Sequence, residues 1–186
     1  HLKWQLRRKL KQIHHELRLT LIYVTHDQVE ALTFADHVLV MTRGRAVQMG
    51  SAAELFERPS HTFVGHFIGS PGMNFIVAQV KKDKVHVSGM VLDLPKDIKI
   101  TDGEIKLGIR PEYMTFTDAN AEGSLPMSVT QIQDVGTHVI LSASTAGQSI
   151  KARMPVELAT YAKGDTVWLK VLGENTCIYK DEEIVA

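Results

Sequence analysis

A single cysteine, Cys177, occurs in 186 residues. It has no internal disulfide partner, and one thiol is too few for a cysteine-based zinc cluster. A reducing, cytoplasmic setting fits this. Net charge is also missing, because 21 Lys and Arg balance 21 Asp and Glu. A zero balance offers neither a basic surface that follows a phosphate backbone nor a polybasic membrane anchor. Aromatics make up only 6%, too few for an evident base-stacking platform, so nucleic acid is not expected as a partner. No apolar run approaches the roughly 20 residues that cross a bilayer as a helix. The N-terminus does not read as a signal peptide. Nor is there a Gly-x-Ser-x-Gly elbow, a His-x-x-x-His pair, or a Gly-x-x-x-x-Gly-Lys-Ser/Thr phosphate loop.

What is present has a globular balance, 44% hydrophobic and 23% charged. The chain opens inside a helical pattern without a start methionine, which implies an upstream segment. Leu2, Leu6, Leu10, Ile13 and Leu17 recur at spacings of three and four, the apolar face of an amphipathic helix. Lys3, Arg7, Arg8, Lys9 and Lys11 fall largely on the other faces and read as a solvated surface. Thr20–Val24 is a short apolar run that reads as a buried strand. Thr25 and Gln28 match a capping box, worth about 1 kcal/mol, for a helix through Val29, Ala31, Leu32 and Ala35. Val38–Met41 and Ala46–Met49 flank Arg43-Gly44-Arg45 and read as a hairpin. Ser51 and Glu54 make a second capping box, and Pro59 ends that helix. Ser60 is expected to cap a further short helix through Phe63, Val64, Phe67 and Ile68.

The pattern changes near Ser70 to Asn74. Short strand-like runs follow at Ile76–Val80, Val85–Val87, Met90–Leu94, Ile105–Ile109, Tyr113–Thr117, Met127–Ile132, His138–Ala143, Ser149–Met154, Thr166–Leu172 and Cys177–Tyr179. Short strands at this spacing indicate a small barrel or sandwich. The fold class is therefore α+β: part of an α/β domain over residues 1–70, then an all-β, OB-like barrel domain over 71–186.

His26 is the leading chemical candidate. It lies between the expected strand and a helix start, where open α/β sheets bind ligands. Its imidazole can donate to a phosphate oxygen. Asp27 either orients or charges that ring or favours the helix start. The same Thr-His-Asp also fits a purely structural turn, and the residues alone leave both readings open. His14 and His15 read as solvated, and His61 and His66, five apart, do not share a helical face. His37, His86 and His138 stand alone in strand-like runs. No metal site is expected.

The run from Leu21 to Ala31, with Thr25-His26-Asp27-Gln28 at its centre, resembles the switch (H-loop) region of ABC importer ATPases. Ala35-Asp36, Met41–Arg45, Gln48-Met49-Gly50, Leu55–Pro59 and Phe67–Phe75 resemble the segments that follow it in that family. The last of these is similar to the carbohydrate and glycerol-phosphate importer branch. Leu107-Gly108-Ile109-Arg110-Pro111-Glu112 resembles a motif of the appended TOBE domain, which has an OB-type fold. Tyr113 and Asp165–Trp168 weakly resemble polyol or glycerol importers.

The resemblance covers nearly the whole chain, and it implies that His26 contacts the γ-phosphate of ATP, with Asp27 supporting it. It implies ATP and Mg as cofactors of the intact parent, with none bound tightly by this piece. It implies membrane-spanning permease subunits and a second ATPase copy as partners, a homodimer through the β domain, and a peripheral place on the cytoplasmic membrane face. The phosphate loop, glutamine loop, signature and magnesium-binding carboxylates of that family have no match here. The 186 residues alone are therefore expected not to hydrolyse ATP. A different reading is a free-standing OB-like module for a small oxyanion, sugar or oligonucleotide. Without upstream neighbours to cover Thr20–Val24, residues 1–70 are expected to rearrange, swap, or pack against a second chain.

Overall fold

The computed structural model describes residues 2–96, 98–158 and 160–186. Local signals account for most of the N-terminal elements. α1 (Leu2–Leu17) follows its apolar spacing. α2 (Gln28–Phe34) begins at Asp27, which replaces the expected Thr25 cap: the Asp27 carboxylate accepts from the N–H of Val29 and Glu30 at 2.9 and 3.1 Å. β1 (Val38–Thr42) and β2 (Arg45–Gly50) form an antiparallel hairpin. Its turn residues, Arg43 and Gly44, both take left-handed backbone angles. α3 (Ala52–Glu57) opens on the Ser51–Glu54 capping box, bonded in both directions.

α4 (Thr62–Phe67) is capped by His61, whose Nδ1 accepts from Phe63 N at 2.9 Å. Ser60, the expected cap, has its backbone committed elsewhere. Its N–H goes to Gln48 Oε1 at 2.8 Å and its carbonyl to Ile184 N at 2.9 Å.

One expected element does not form. Thr20–Val24 has no regular secondary structure and lies open to solvent, with Val24 90% exposed. A buried strand needs hydrogen-bonding neighbours on its edges and cover on its faces. β1 and β2 pair only with each other, so the backbone of Thr20–Val24 finds no ladder. The apolar face of α1 is likewise uncovered at Leu6 and Leu17. The buried cluster in this region is Val40, Leu55, Val64 and Ile68, with Leu32, Val38, Val47, Phe56 and Phe63 around them.

From Asn74 onward the described residues are mostly strand and turn, with short 3-10 helices at Pro111–Tyr113 and Val156–Leu158: β3 (Asn74–Lys81), β4 (Lys84–Val87), β5 (Met90–Asp93), β6 (Gly103–Ile109), β7 (Thr115–Thr117), β8 (Ser124–Asp134), β9 (Val139–Thr145), β10 (Gln148–Met154), β11 (Thr166–Lys170), β12 (Cys177–Lys180) and β13 (Glu183–Ile184). One sheet runs β13-β12-β6-β3-β4-β5 and the other β10-β9-β8-β11-β7, with every pairing antiparallel. Alternation decides which faces meet: β3 turns Ile76, Ala78 and Val80 inward, and β10 turns Ile150, Ala152 and Met154 inward. Their core also takes in Leu107, Leu125, Leu141, Leu169 and Ile178. The helices and this curled β domain together give the α+β class read from the sequence.

Two side-chain amides close the seam where the sheets meet. Asn74 gives Nδ2 to the Lys151 carbonyl at 2.7 Å and takes the Lys151 N–H at 2.8 Å. Gln148 does the same to Val77, at 3.0 and 2.6 Å. Each amide imitates a backbone ladder step between β3 and β10, so neither edge is left bare there.

The chain end folds back on the helical part. β13 bridges His61 through Glu183, and Thr62 N donates to the Glu182 carbonyl at 3.0 Å. Among the described residues, no helix is long and apolar enough to cross a membrane.

Candidate functional site

The backbone around His26 is fixed by its neighbours. Asp27 N donates to Thr25 Oγ1 at 3.0 Å, and the Thr25 hydroxyl donates to Glu30 Oε2 at 3.0 Å. Tyr23 Oη reaches the same carboxylate oxygen at 3.3 Å. Arg7 of α1 lies 3.6 Å from the other oxygen of Glu30. A buried carboxylate needs such donors, because burial penalises an unpaired charge. Glu30 is therefore the node that gathers α1, residues 23–25 and α2. The Asp27 carboxylate is used by the first turn of α2, so its direct work is to shape the turn rather than to charge the ring.

The imidazole of His26 takes no part in this network and faces solvent. The turn thus presents an uncommitted donor and acceptor on a backbone held from both sides. That arrangement suits a contact to an external anion, since the ring has no hydrogen bond to give up in making one. Among the other histidines, His61 is consumed as a helix cap and His138 shares a 2.9 Å contact with Thr137 Oγ1. Among the described residues, no group of three or more His, Cys, Asp or Glu side chains is placed to hold a metal ion.

Sequence reasoning placed Arg110 in a motif but missed its role, which is to tie the helices to the β domain. Arg110 is 1% exposed, just past the end of β6. Its Nε donates to the Phe56 carbonyl at 3.0 Å. Its Nη1 donates to the carbonyls of Gly65, at 3.1 Å, and Ile68. The guanidinium carbon stands 4.2 Å above the Phe56 ring. These carbonyls belong to the last turns of α3 and α4, where helix geometry leaves acceptors open and the dipole favours a cation; that of Gly65 also accepts from Met73 N at 2.9 Å. Burial holds the guanidinium below its ordinary pKa, opposed chiefly by the charge of Glu112. A charged residue directly after the inward-facing Ile105, Leu107 and Ile109 was the available signal.

A second contact set supports Arg110. Tyr179, fully buried, donates its hydroxyl to the Pro59 carbonyl at 2.8 Å, and burial drives its pKa upward. Tyr113 donates to Glu57 at 2.7 Å, and that bond raises the phenol pKa. Burial also raises the Cys177 thiol, so this lone cysteine stays protonated beside Tyr179.

Comparison with known proteins adds three kinds of finding. Residues 69–114 match the MalK OB fold domain and residues 107–177 match the TOBE domain. Arg110 falls within both. The sn-glycerol-3-phosphate import ATP-binding protein UgpC of Vibrio vulnificus (strain CMCP6) is 31% identical over 98% of this chain and 50% of its own length. Its counterpart in Escherichia coli (strain K12) is 37% identical over 94% of this chain and 49% of its own length. The uncharacterized ABC transporter ATP-binding protein y4oS of Sinorhizobium fredii is 35% identical over 90% of this chain and 45% of its own. The chain thus spans about half the length of the curated relatives it matches. Among solved structures, the cytoplasmic molybdate-binding protein ModG with molybdate bound aligns at a TM-score of 0.44 and 13% identity, covering 56% of this chain and 94% of that one.

Proposed function

We propose, from the premise that this chain is a member of the ABC importer ATP-binding family and matches the C-terminal part of such subunits, that it supplies two working parts of an import ATPase. The first is His26, which donates to a γ-phosphate oxygen of ATP. The second is the β domain, which carries regulatory and dimer contacts. On this reading residues 1–70 are the end of the nucleotide-binding domain and residues 71–186 the TOBE/OB-like domain. The observation that carries it is the uncommitted, solvent-facing imidazole of His26 on a turn fixed by Thr25, Asp27 and Glu30.

A single histidine fits one phosphate contact and no more. Phosphoryl transfer needs a backbone cradle, a lysine, a magnesium-holding carboxylate and a group that positions the attacking water. None of these motifs stands among the 186 residues. ATP and Mg therefore belong to the complete subunit, where His26 stabilises phosphate charge and helps fix the reacting geometry. Asp27 acts on the turn that aims it. The partners of the complete subunit are membrane-spanning permeases and a second ATPase copy, and its place is peripheral, on the cytoplasmic membrane face. The solute class is a sugar, polyol or glycerol phosphate, in keeping with relatives whose names specify glycerol-3-phosphate import.

The 186-residue chain on its own is expected to show no ATP turnover and only weak nucleotide binding by calorimetry. Robust turnover by this chain, abolished by His26→Ala, would contradict the assignment of the catalytic parts to the rest of the subunit.

A further inference from the structure

Gln28 lies two residues past His26 and makes a contact that its own helix does not need. Its Oε1 accepts a hydrogen bond from the backbone N–H of Gly69 at 2.8 Å, 41 positions away. Gly69 follows Ile68, the residue that closes α4. The carbonyl of Ile68 accepts from Arg110 Nη1. The Ile68 carbonyl and the Gly69 N–H are the two ends of one peptide group. Arg110 therefore grips one end of a planar unit and Gln28 takes the other.

A peptide plane is stiff, since twisting it away from planarity is costly. It is also polarisable: a cation on the oxygen strengthens the N–H as a donor. The room around it is closed. A Cβ at Gly69 would sit 2.9 Å from Arg110 Nη1 and 3.1 Å from the Pro71 carbonyl, on a backbone with φ of +108°. Gly69 is therefore held to glycine by both space and backbone angle. The path runs from the end of β6, through a single peptide group, to the first turn of α2.

We propose that the Ile68–Gly69 peptide is the element through which the β domain sets the position of His26, with Gln28 as the positioning residue that reads it. The inference rests on the assignment of His26 to phosphate sensing, and it names how the β domain reaches that site. Arg110 orients the peptide, Gln28 follows the N–H, and the turn bearing His26 follows Gln28. A shift of the β domain relative to α3 and α4 is then delivered to His26 with no contact between them.

The test is a double-variant cycle on the 186-residue chain, read by NMR of ring-labelled histidine and by amide exchange. Gln28→Leu removes the acceptor and is expected to speed Gly69 N–H exchange roughly fivefold. Gln28→Glu keeps an acceptor oxygen and is expected to restore slow exchange. Arg110→Lys is expected to move the His26 ring resonances with Gln28 present and to leave them still in the Gln28→Leu background. If Arg110→Lys does not fold, Phe56→Leu removes the ring beneath the guanidinium and is read in the same way. Equal movement of the His26 resonances with and without Gln28 would overturn the proposal, as would unchanged Gly69 exchange in Gln28→Leu. No nucleotide enters these readouts, so a failure of phosphate sensing appears only in turnover assays and a failure of the linkage only here.

Discussion

Replacing Arg110 by Met tests the anchor between helices and sheets. The guanidinium satisfies the carbonyls of Phe56, Gly65 and Ile68. A fourth, from Leu55, lies at 3.5 Å and counts for little. The Gly65 carbonyl keeps the Met73 N–H at 2.9 Å, so two acceptors are orphaned, at about 1–3 kcal/mol each or roughly 2–6 kcal/mol together. Removing the cation returns part of that, because a buried guanidinium without a tight carboxylate partner is expensive to desolvate. The difference leaves a net loss of about 1–3 kcal/mol. With a urea slope of roughly 2 kcal/mol per molar, the unfolding midpoint falls by about 0.5–1.5 M. The assay is urea unfolding followed by Trp168 fluorescence, with amide exchange across α3 and α4 to locate the loss. Protection there should fall before that of β6 and β8. Arg110→Lys should recover only part of the loss, because a single ammonium cannot span carbonyls that a planar fork reaches together. A Met variant with a midpoint within about 0.2 M of the native chain would refute the reasoning.

The seam and the chain end give further tests. Asn74→Leu strips partners from both the N–H and the carbonyl of Lys151, and a loss of about 2 kcal/mol is expected in the same urea assay. Gln148→Leu should cost less, because water can replace its more exposed bonds. Glu182 receives Lys106 and the Thr62 hydroxyl, and these hold its carboxyl below the ordinary value of 4.5. Its folded-state pKa is thus below its unfolded one. The stabilisation is complete above about pH 4.5 and is lost as pH falls through the folded value. Glu182→Gln should flatten the acid limb of a stability–pH profile and leave its slope near neutrality unchanged.

The parts of this fold that were legible in the sequence are those set by local rules. The Ser51–Glu54 box, the Arg43-Gly44 turn and the alternation in β3 and β10 each depend on residues a few positions apart, or on one face of one strand. Thr20–Val24 failed for the opposite reason. Its composition suits a strand, but a ladder needs a neighbour, and none of the described residues provides one. The amide staples of Asn74 and Gln148 join residues 77 and 71 positions apart, which no periodicity reveals. The same holds at the site. His26 stood out through its place beside an apolar run and Asp27 as its neighbour at a helix start, but the cap was expected at Thr25 and falls to Asp27. Gln28, Glu30 and Arg110 matter through partners brought near only by the fold. The short β13 escaped notice because two residues carry no period, and its pairing with residues 60–62 comes from closure of the chain end.

The central claim is that His26 is the phosphate-sensing histidine of an import ATP-binding subunit. Its most direct test is ATP turnover by the complete subunit with His26→Ala, with the β-domain melting transition recorded alongside. The account predicts that turnover falls on the order of a hundredfold, as for loss of a single charge-stabilising donor, while the melting transition is retained. Turnover equal to that of the unaltered subunit would contradict it.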